Sequence, residues 1–156
     1  MNFRNYQLSI AIVAVLIPAA IALVGMKRIR EQHLKEFSLN LISSFYSSDN
    51  VAKGHEILIR ALPNGMPDKI DSKDEYFVRQ ALNFYSFIAV AYCENTVDRR
   101  IIMLQLGNSI KSAFSSAQSL VDKQRVEMDR PTMYQLLEEF SVKRVDEFYA
   151  ENNRYK

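Results

Sequence analysis

An uninterrupted apolar stretch lies near the amino terminus, beginning at Leu8 and ending at Met26. It contains 19 residues, no ionisable side chain and one polar side chain, that of Ser9. At about 1.5 Å per residue, a helix of this length spans roughly 28 Å, which matches the ~30 Å hydrocarbon core of a bilayer. A helix also satisfies its own backbone hydrogen bonds in lipid. The pattern predicts a transmembrane helix over residues 8–26, preceded by a short segment of residues 1–7.

Two other interpretations fit parts of this stretch. A cleaved signal peptide would use Arg4 as its basic region and Ala20-Ile21-Ala22 as its cleavage pattern. The apolar run continues beyond that triplet, and the cations that follow it would oppose translocation, so an uncleaved anchor is favoured. A buried core helix would normally keep a polar stripe, which this stretch lacks.

The charged residues on either side of the stretch predict its orientation. Arg4 is the only side-chain cation before it. Four cations follow it closely: Lys27, Arg28, Arg30 and Lys35. Because positive charge is retained on the cytoplasmic side, we expect the amino terminus outside a bacterial inner membrane and residues 27–156 in the cytoplasm. The same cations can contact anionic lipid headgroups of the bilayer.

Helical spacing of apolar residues continues beyond the anchor. No glycine or proline follows Gly25 until residue 54, so a single helix is predicted over about residues 6–46, of which residues 27–46 form a juxtamembrane extension. Loop and capping sequences separate four further helices, predicted at about residues 51–62, 73–97, 98–128 and 132–152. The predicted fold is all-α: an N-terminal transmembrane helix that continues into a soluble bundle of about five helices, with the bundle domain at residues 47–152.

Composition narrows the classes of function. The net charge is +2, but residues 37–156 carry 15 Lys/Arg against 16 Asp/Glu. A nearly neutral domain without a basic stripe argues against nucleic-acid binding. Cys93 is the only cysteine, so an intrachain disulfide is excluded, in keeping with a reducing compartment.

Catalytic and metal-binding patterns are not evident. The two histidines, His33 and His55, are predicted on different helices without a second ligand at metal spacing, and His55 is expected to be a solvated helix residue. Cys93 could pair with a histidine as a nucleophile, but a lone cysteine in an apolar helix is more often a small core side chain. Gly-rich phosphate loops and nucleophile elbows are absent from the sequence. The sequence therefore predicts no enzyme, no cofactor and no metal.

Three residues are candidates for a buried polar role or for partner contact: Asn83, Tyr85 and Asp98. Asn83 lies in the apolar run Ala81-Leu82-Asn83-Phe84-Tyr85, so it is predicted to be a buried amide that fixes helix register, with a ligand contact as the alternative. Tyr85 belongs to an aromatic cluster predicted to form core, part of which could bind a partner. Asp98 is predicted to cap the fourth helix.

Several of these residues also carry a resemblance. They are Leu82-Asn83-Phe84, Ile88-Ala89-Val90, Asp98 at the start of a helix, and residues 125–131 before the last helix. With this pattern, residues 35–150 resemble a bacterial family of small single-pass membrane-anchored proteins with an all-helical domain of unknown function. That family often has a glutamate where this chain has Ser86. The resemblance implies a helical domain on an anchor and supplies no activity.

These observations predict a membrane-anchored helical interaction or scaffolding protein that acts by self-association or through a partner protein. An oligomerising membrane effector in defence or toxicity is a second hypothesis. It is motivated by a face of small residues and proline at Ala11, Ala14, Pro18, Ala22 and Gly25. A Cys93-dependent enzyme is a third hypothesis and the least favoured.

Overall fold

The computed structural model describes residues 3–62, 64–67 and 70–153, and within these ranges it describes side chains from Leu16 to Asn152. The described residues form helices and no strand, which confirms the all-α prediction. Their helices are α1 (Phe3–Ser47), α2 (Asp49–Arg60), α3 (Ser72–Cys93), α4 (Arg99–Ile102), α5 (Asn108–Glu127), α6 (Gln135–Glu139) and α7 (Val145–Asn153). Short π-helical segments join α4 to α5 and α6 to α7, so the described chain is built from five helical rods.

Helix α1 is continuous over 45 residues and passes through Pro18 without ending. This confirms the predicted long helix. Side chains from Leu16 to Phe37 are exposed almost throughout, whereas Ser38, Leu41 and Phe45 are buried in the bundle. The carboxyl end of α1 is therefore part of the core, and the rest of the helix extends away from it.

The predicted transmembrane segment is only partly covered by the described side chains. Within the described part of the chain, no helix combines the length and the apolar character needed to cross a bilayer. The side chains of Arg4, Leu8, Ala11 and Ala14 lie outside the described residues. The span over residues 8–26 thus stays a prediction.

Helices α2 and α3 cross at Gly54. A Cβ atom placed on Gly54 would lie 2.0 Å from the carbonyl oxygen of Phe77 and 2.9 Å from the Cβ of Ala81. The two backbones can approach this closely only because glycine has no side chain. The crossing closes one side of a core whose largest buried side chains include Leu58, Leu82, Tyr85, Ile88, Phe114 and Phe140.

Helix α3 ends at Cys93, four residues before the predicted end near Val97. The chain turns at Asn95, whose φ is 53°, a left-handed conformation that asparagine tolerates well. Asp98 then caps α4, and its carboxylate accepts hydrogen bonds from the backbone N–H of Arg100 (3.0 Å) and Ile101 (3.1 Å). The predicted capping role of Asp98 is confirmed.

The fourth and fifth rods are interrupted where the sequence predicts regular helices. The π-helical segments are Met103–Gly107 and Phe140–Arg144. The hydroxyl of Tyr149 on α7 donates a hydrogen bond to the carbonyl oxygen of Met103 (3.0 Å), so a side chain of the fifth rod contacts the interruption in the fourth. Apolar spacing alone does not distinguish such a segment from an α-helix.

The connection between α5 and α6 is held by Arg125. Its Nε donates to the carbonyl oxygen of Met133 (2.9 Å), and its two terminal nitrogens contact the carboxylates of Asp122 (3.2 Å) and Glu138 (2.7 Å). Tyr134 follows with a φ of 59°. Helix α6 consequently begins at residue 135, later than the predicted start near residue 132.

Candidate functional site

Asn83 is exposed, contrary to the prediction that it is a buried amide. Its Oδ1 accepts a hydrogen bond from the hydroxyl of Tyr134 (3.0 Å). Phe87 and Val90 are exposed to 50% and 41% on the same face of α3, four and seven residues further on. Part of the apolar run around Asn83 therefore lies on an exposed face of α3. The apolar sequence alone does not show which of its residues are exposed.

Tyr85 is fully buried, and its hydroxyl oxygen lies 2.6 Å from Nδ1 of His55. Burial raises the pKa of Tyr85 and lowers the pKa of His55. Burial therefore favours the neutral phenol and the neutral imidazole, and a hydrogen bond joins the hydroxyl of Tyr85 to Nδ1 of His55. The imidazole also packs against the ring of Phe45. The expectation that His55 is solvated was wrong, because α2 turns it towards α3. This pair is a polar contact within the core.

Asp98 also joins α1 to the rest of the bundle. Its backbone N–H donates to Oγ of Ser38 (2.7 Å), and that hydroxyl donates to the carbonyl oxygen of Leu34 one turn earlier (2.7 Å). Ser38 is fully buried. Sequence analysis did not identify Ser38, because its burial depends on a turn that is distant in sequence and its neighbouring residues do not predict it.

Beside this contact lies a cavity of about 510 Å³, which we call the junction cavity. It is lined by Lys27, Arg30, Glu31 and Leu34 of α1 and by Asn95, Val97, Asp98, Arg99 and Arg100. Four of these residues are cations and two are acids. Among the ion pairs of the described residues, none involves these four cations. The junction cavity therefore carries an excess of positive charge.

Arg99 lies between the junction cavity and a neighbouring cavity. Its Nε donates to the carbonyl oxygen of Tyr92 (3.1 Å), and its guanidinium carbon lies 4.8 Å from the centre of the Tyr92 ring. Burial raises the pKa of Tyr92, an effect that the charge of Arg99 opposes. The arginine is consequently held in place by the end of α3.

The neighbouring cavity, about 330 Å³, contains the only thiol of the chain. It is lined by Tyr92, Cys93, Arg99, Arg144, Glu147, Phe148 and Glu151. Cys93 is exposed there, so the expectation of a core side chain was wrong. It is the last residue of α3, where the turn carries it outward. The described residues that line this cavity include the carboxylates Glu147 and Glu151 and no histidine.

An apolar groove runs along α1 on the other side of the turn. Its volume is about 560 Å³, and we call it the α1 groove. It is lined by Met26, Ile29, Arg30, His33, Leu34, Phe37 and Thr96. Ile29 and Phe37 are 55% and 39% exposed. Within the described chain, this surface has no covering element.

The small-residue face predicted for oligomerisation is described only in part. Pro18 and Ala22 are exposed, and a Cβ on Gly25 would have nothing within 4 Å. The side chains of Ala11 and Ala14 lie outside the described residues. In the part of the chain that the structure describes, no group of three or more His, Cys, Asp or Glu side chains is placed to hold a metal.

Comparison with protein families assigns residues 9–143 to the Domain of unknown function (DUF4760), and the chain belongs to this family. Membership in a family of unknown function was predicted from the sequence and is confirmed. No curated protein matches the chain, and no solved structure matches it.

Proposed function

We propose that this member of the DUF4760 family is a single-pass, membrane-anchored helical interaction protein that scaffolds through self-association or a partner protein. The observation that carries the proposal is the continuity of α1. The apolar residues 8–26 and the bundle residues Leu41 and Phe45 belong to one helix of 45 residues. A span in this helix would be coupled rigidly to the bundle, because no loop separates them.

The distribution of charge supports a cytoplasmic bundle at a bacterial inner membrane. The cations that follow the apolar stretch are exposed on α1. The first two residues of α4, Arg99 and Arg100, add positive charge at the same end of the bundle. Positive charge at the carboxyl end of a span favours retention of that end in the cytoplasm.

The α1 groove supports binding to another protein. Its apolar side chains recur at a spacing that suits the packing of a second helix. The Phe37 side chain lies at one end and Met26 at the other, so the groove extends for about 16 Å along α1. A second copy of this chain or a helical segment of another protein fits this shape.

Carbonate extraction of cell membranes tests the anchor. The full chain is expected in the washed membrane pellet, and recovery in the supernatant would refute the proposal. Digestion of the bundle by protease added outside spheroplasts would reverse the proposed orientation.

Site-specific photocrosslinking tests the partner surface. A photoreactive residue at position 37 should give a crosslinked species, either at twice the mass of the chain or with a second protein. Leu39 is the matched control, because it lies on the same helix and is 56% exposed. Its side chain is rotated about 200° around the helix axis from that of Phe37. Equal crosslinking from both positions, or none from position 37, would contradict an interface at the groove.

A further inference from the structure

We infer that the junction cavity binds the phosphate group of an anionic phospholipid. This inference rests on the proposed membrane anchor and goes beyond it, because it assigns a lipid site to residues of the bundle. Lys27 and Arg30 come from α1, whereas Arg99 and Arg100 are the first two residues of α4, about 70 residues later. The fold places these four cations around one cavity.

The position of the cavity along α1 fits a headgroup. Lys27 directly follows the last residue of the predicted span, and Leu34 marks the far edge of the cavity. Leu34 follows Lys27 by seven residues, so the helix rises about 10 Å from one to the other. The polar layer of a bilayer extends roughly 5–8 Å beyond the hydrocarbon core on each side. The cavity therefore lies at the depth at which lipid phosphates occur.

The charge of the cavity fits an anion. Lys27, Arg30, Arg99 and Arg100 outnumber the acids Glu31 and Asp98, and none of the four takes part in an ion pair among the described residues. The carboxylate of Asp98 is already engaged by two backbone N–H groups. A phosphate would supply the counter-charge that these cations lack within the described chain.

The backbone that carries Arg99 and Arg100 is fixed against α1, and the side chain of Arg99 is held by further contacts. Hydrogen bonding between Asp98 and Ser38 fixes the turn against α1, and the contacts of Arg99 with Tyr92 fix the arginine. Preorganised cations lose less conformational freedom when a ligand binds. A lipid is favoured over free phosphate because the cavity begins where the predicted hydrocarbon core ends.

The test uses the full chain purified in a non-ionic detergent and titrated with phosphatidylglycerol or phosphatidylcholine. Native mass spectrometry measures the fraction of chains that retain one lipid. Phosphatidylglycerol should bind in preference to phosphatidylcholine. A double variant carrying Arg99→Gln and Arg100→Gln should lose up to about fivefold in that preference for each arginine removed.

Two further variants separate the site from general effects of charge and folding. Lys27→Gln with Arg30→Gln, on the exposed side of α1, should reduce the preference without disturbing the turn. Arg130→Gln with Lys143→Gln removes the same charge from exposed positions elsewhere and should leave it unchanged. Equal effects of all three double variants, or no preference in the unmodified chain, would overturn the lipid site.

Two more experiments are needed. One distinguishes lipid phosphate from soluble phosphate, and the other distinguishes failure of the lipid site from failure of the anchor. Inorganic phosphate at matched ionic strength should not displace phosphatidylglycerol, and its displacement would reassign the site to a soluble phosphate. If the chain stays in carbonate-washed membranes but shows no lipid preference, the lipid site fails and the anchor stands. If the chain leaves those membranes, the proposed function and the lipid site both fail.

Discussion

The two ends of the bundle differ in how exposed their charged side chains are and in how closely their helices pack. At the junction of α1 with the α3–α4 turn, cations line an open cavity and form no ion pair with the described carboxylates, and α1 exposes apolar side chains. On the opposite side of the core, Gly54 permits backbone contact between helices, and Arg125 is 16% exposed and satisfied by three acceptors. Buried charge must be paired, whereas exposed charge can be left available for binding.

This difference separates stability from interaction. Interactions around Gly54 and Arg125 should decide whether the bundle folds, because Gly54 is buried in a close helix crossing and the Arg125 side chain is mostly covered. Interactions at the junction should decide what the bundle binds. The following substitutions test that division, and the unfolding of the full chain in detergent, followed by the near-ultraviolet circular dichroism of its tyrosines, is the measurement for each.

Gly54→Ala should have the largest effect. The added methyl group would meet the carbonyl oxygen of Phe77, so the helices must separate at a cost of about 3 kcal/mol. Alanine favours an isolated helix by up to about 1 kcal/mol, which is too little to offset the clash. Gly25→Ala is the matched control and should not destabilise the bundle, since the space around it is open. Equal stability of the two variants would show that the close helix crossing at Gly54 does not determine the stability of the bundle.

Arg125→Met should be the next most damaging change. It removes hydrogen bonds to Met133, Asp122 and Glu138 and leaves a backbone carbonyl without its donor, at a cost of about 2 kcal/mol. Arg144→Met is the control, because Arg144 also contacts two carboxylates but is 41% exposed. A surface pair contributes little. A larger loss from the change at Arg144 would show that burial does not control the value of these pairs.

Asn83→Ala should have a small effect of about 0.5–1 kcal/mol, that of one exposed hydrogen bond. A buried amide would cost up to about 3 kcal/mol, so the measurement distinguishes the observed position from the one predicted by the sequence. Tyr134→Phe should cost a similar amount. The two changes together should cost less than their sum, because they remove the same hydrogen bond. Full additivity would show that this hydrogen bond does not form.

The pH dependence due to His55 should be the weakest of these effects. Burial lowers the pKa of His55 in the folded chain below its ordinary value of 6.5. The unfolded chain therefore binds the proton more readily, so stability is fully present above about pH 6.5 and declines as the pH falls below it. His55→Gln should flatten the profile between pH 7.5 and 5.5. His33→Gln, at an exposed position, should not. An unchanged slope in His55→Gln would assign the pH dependence to other groups.

Local sequence signals were sufficient to predict where the helices lie. The absence of helix breakers after Gly25 predicted the long α1, and the short side chain of Asp98 predicted the cap of α4. Both depend on residues within one or two turns of each other, so they can be identified from the order of the letters. The predicted ends of helices were less accurate. Helix α3 ends before its predicted end because the chain turns at Asn95, which adopts a left-handed conformation.

The chain by itself determined its all-α class, its membership in a family of unknown function and the location of its apolar stretch. Only tertiary structure decided that Asn83 and Cys93 are exposed and that His55 binds Tyr85. It also decided that Arg99 and Arg100 join Lys27 and Arg30. The physical reason is that periodicity defines the faces of a helix, whereas burial and the meeting of distant charges depend on which other helices cover those faces.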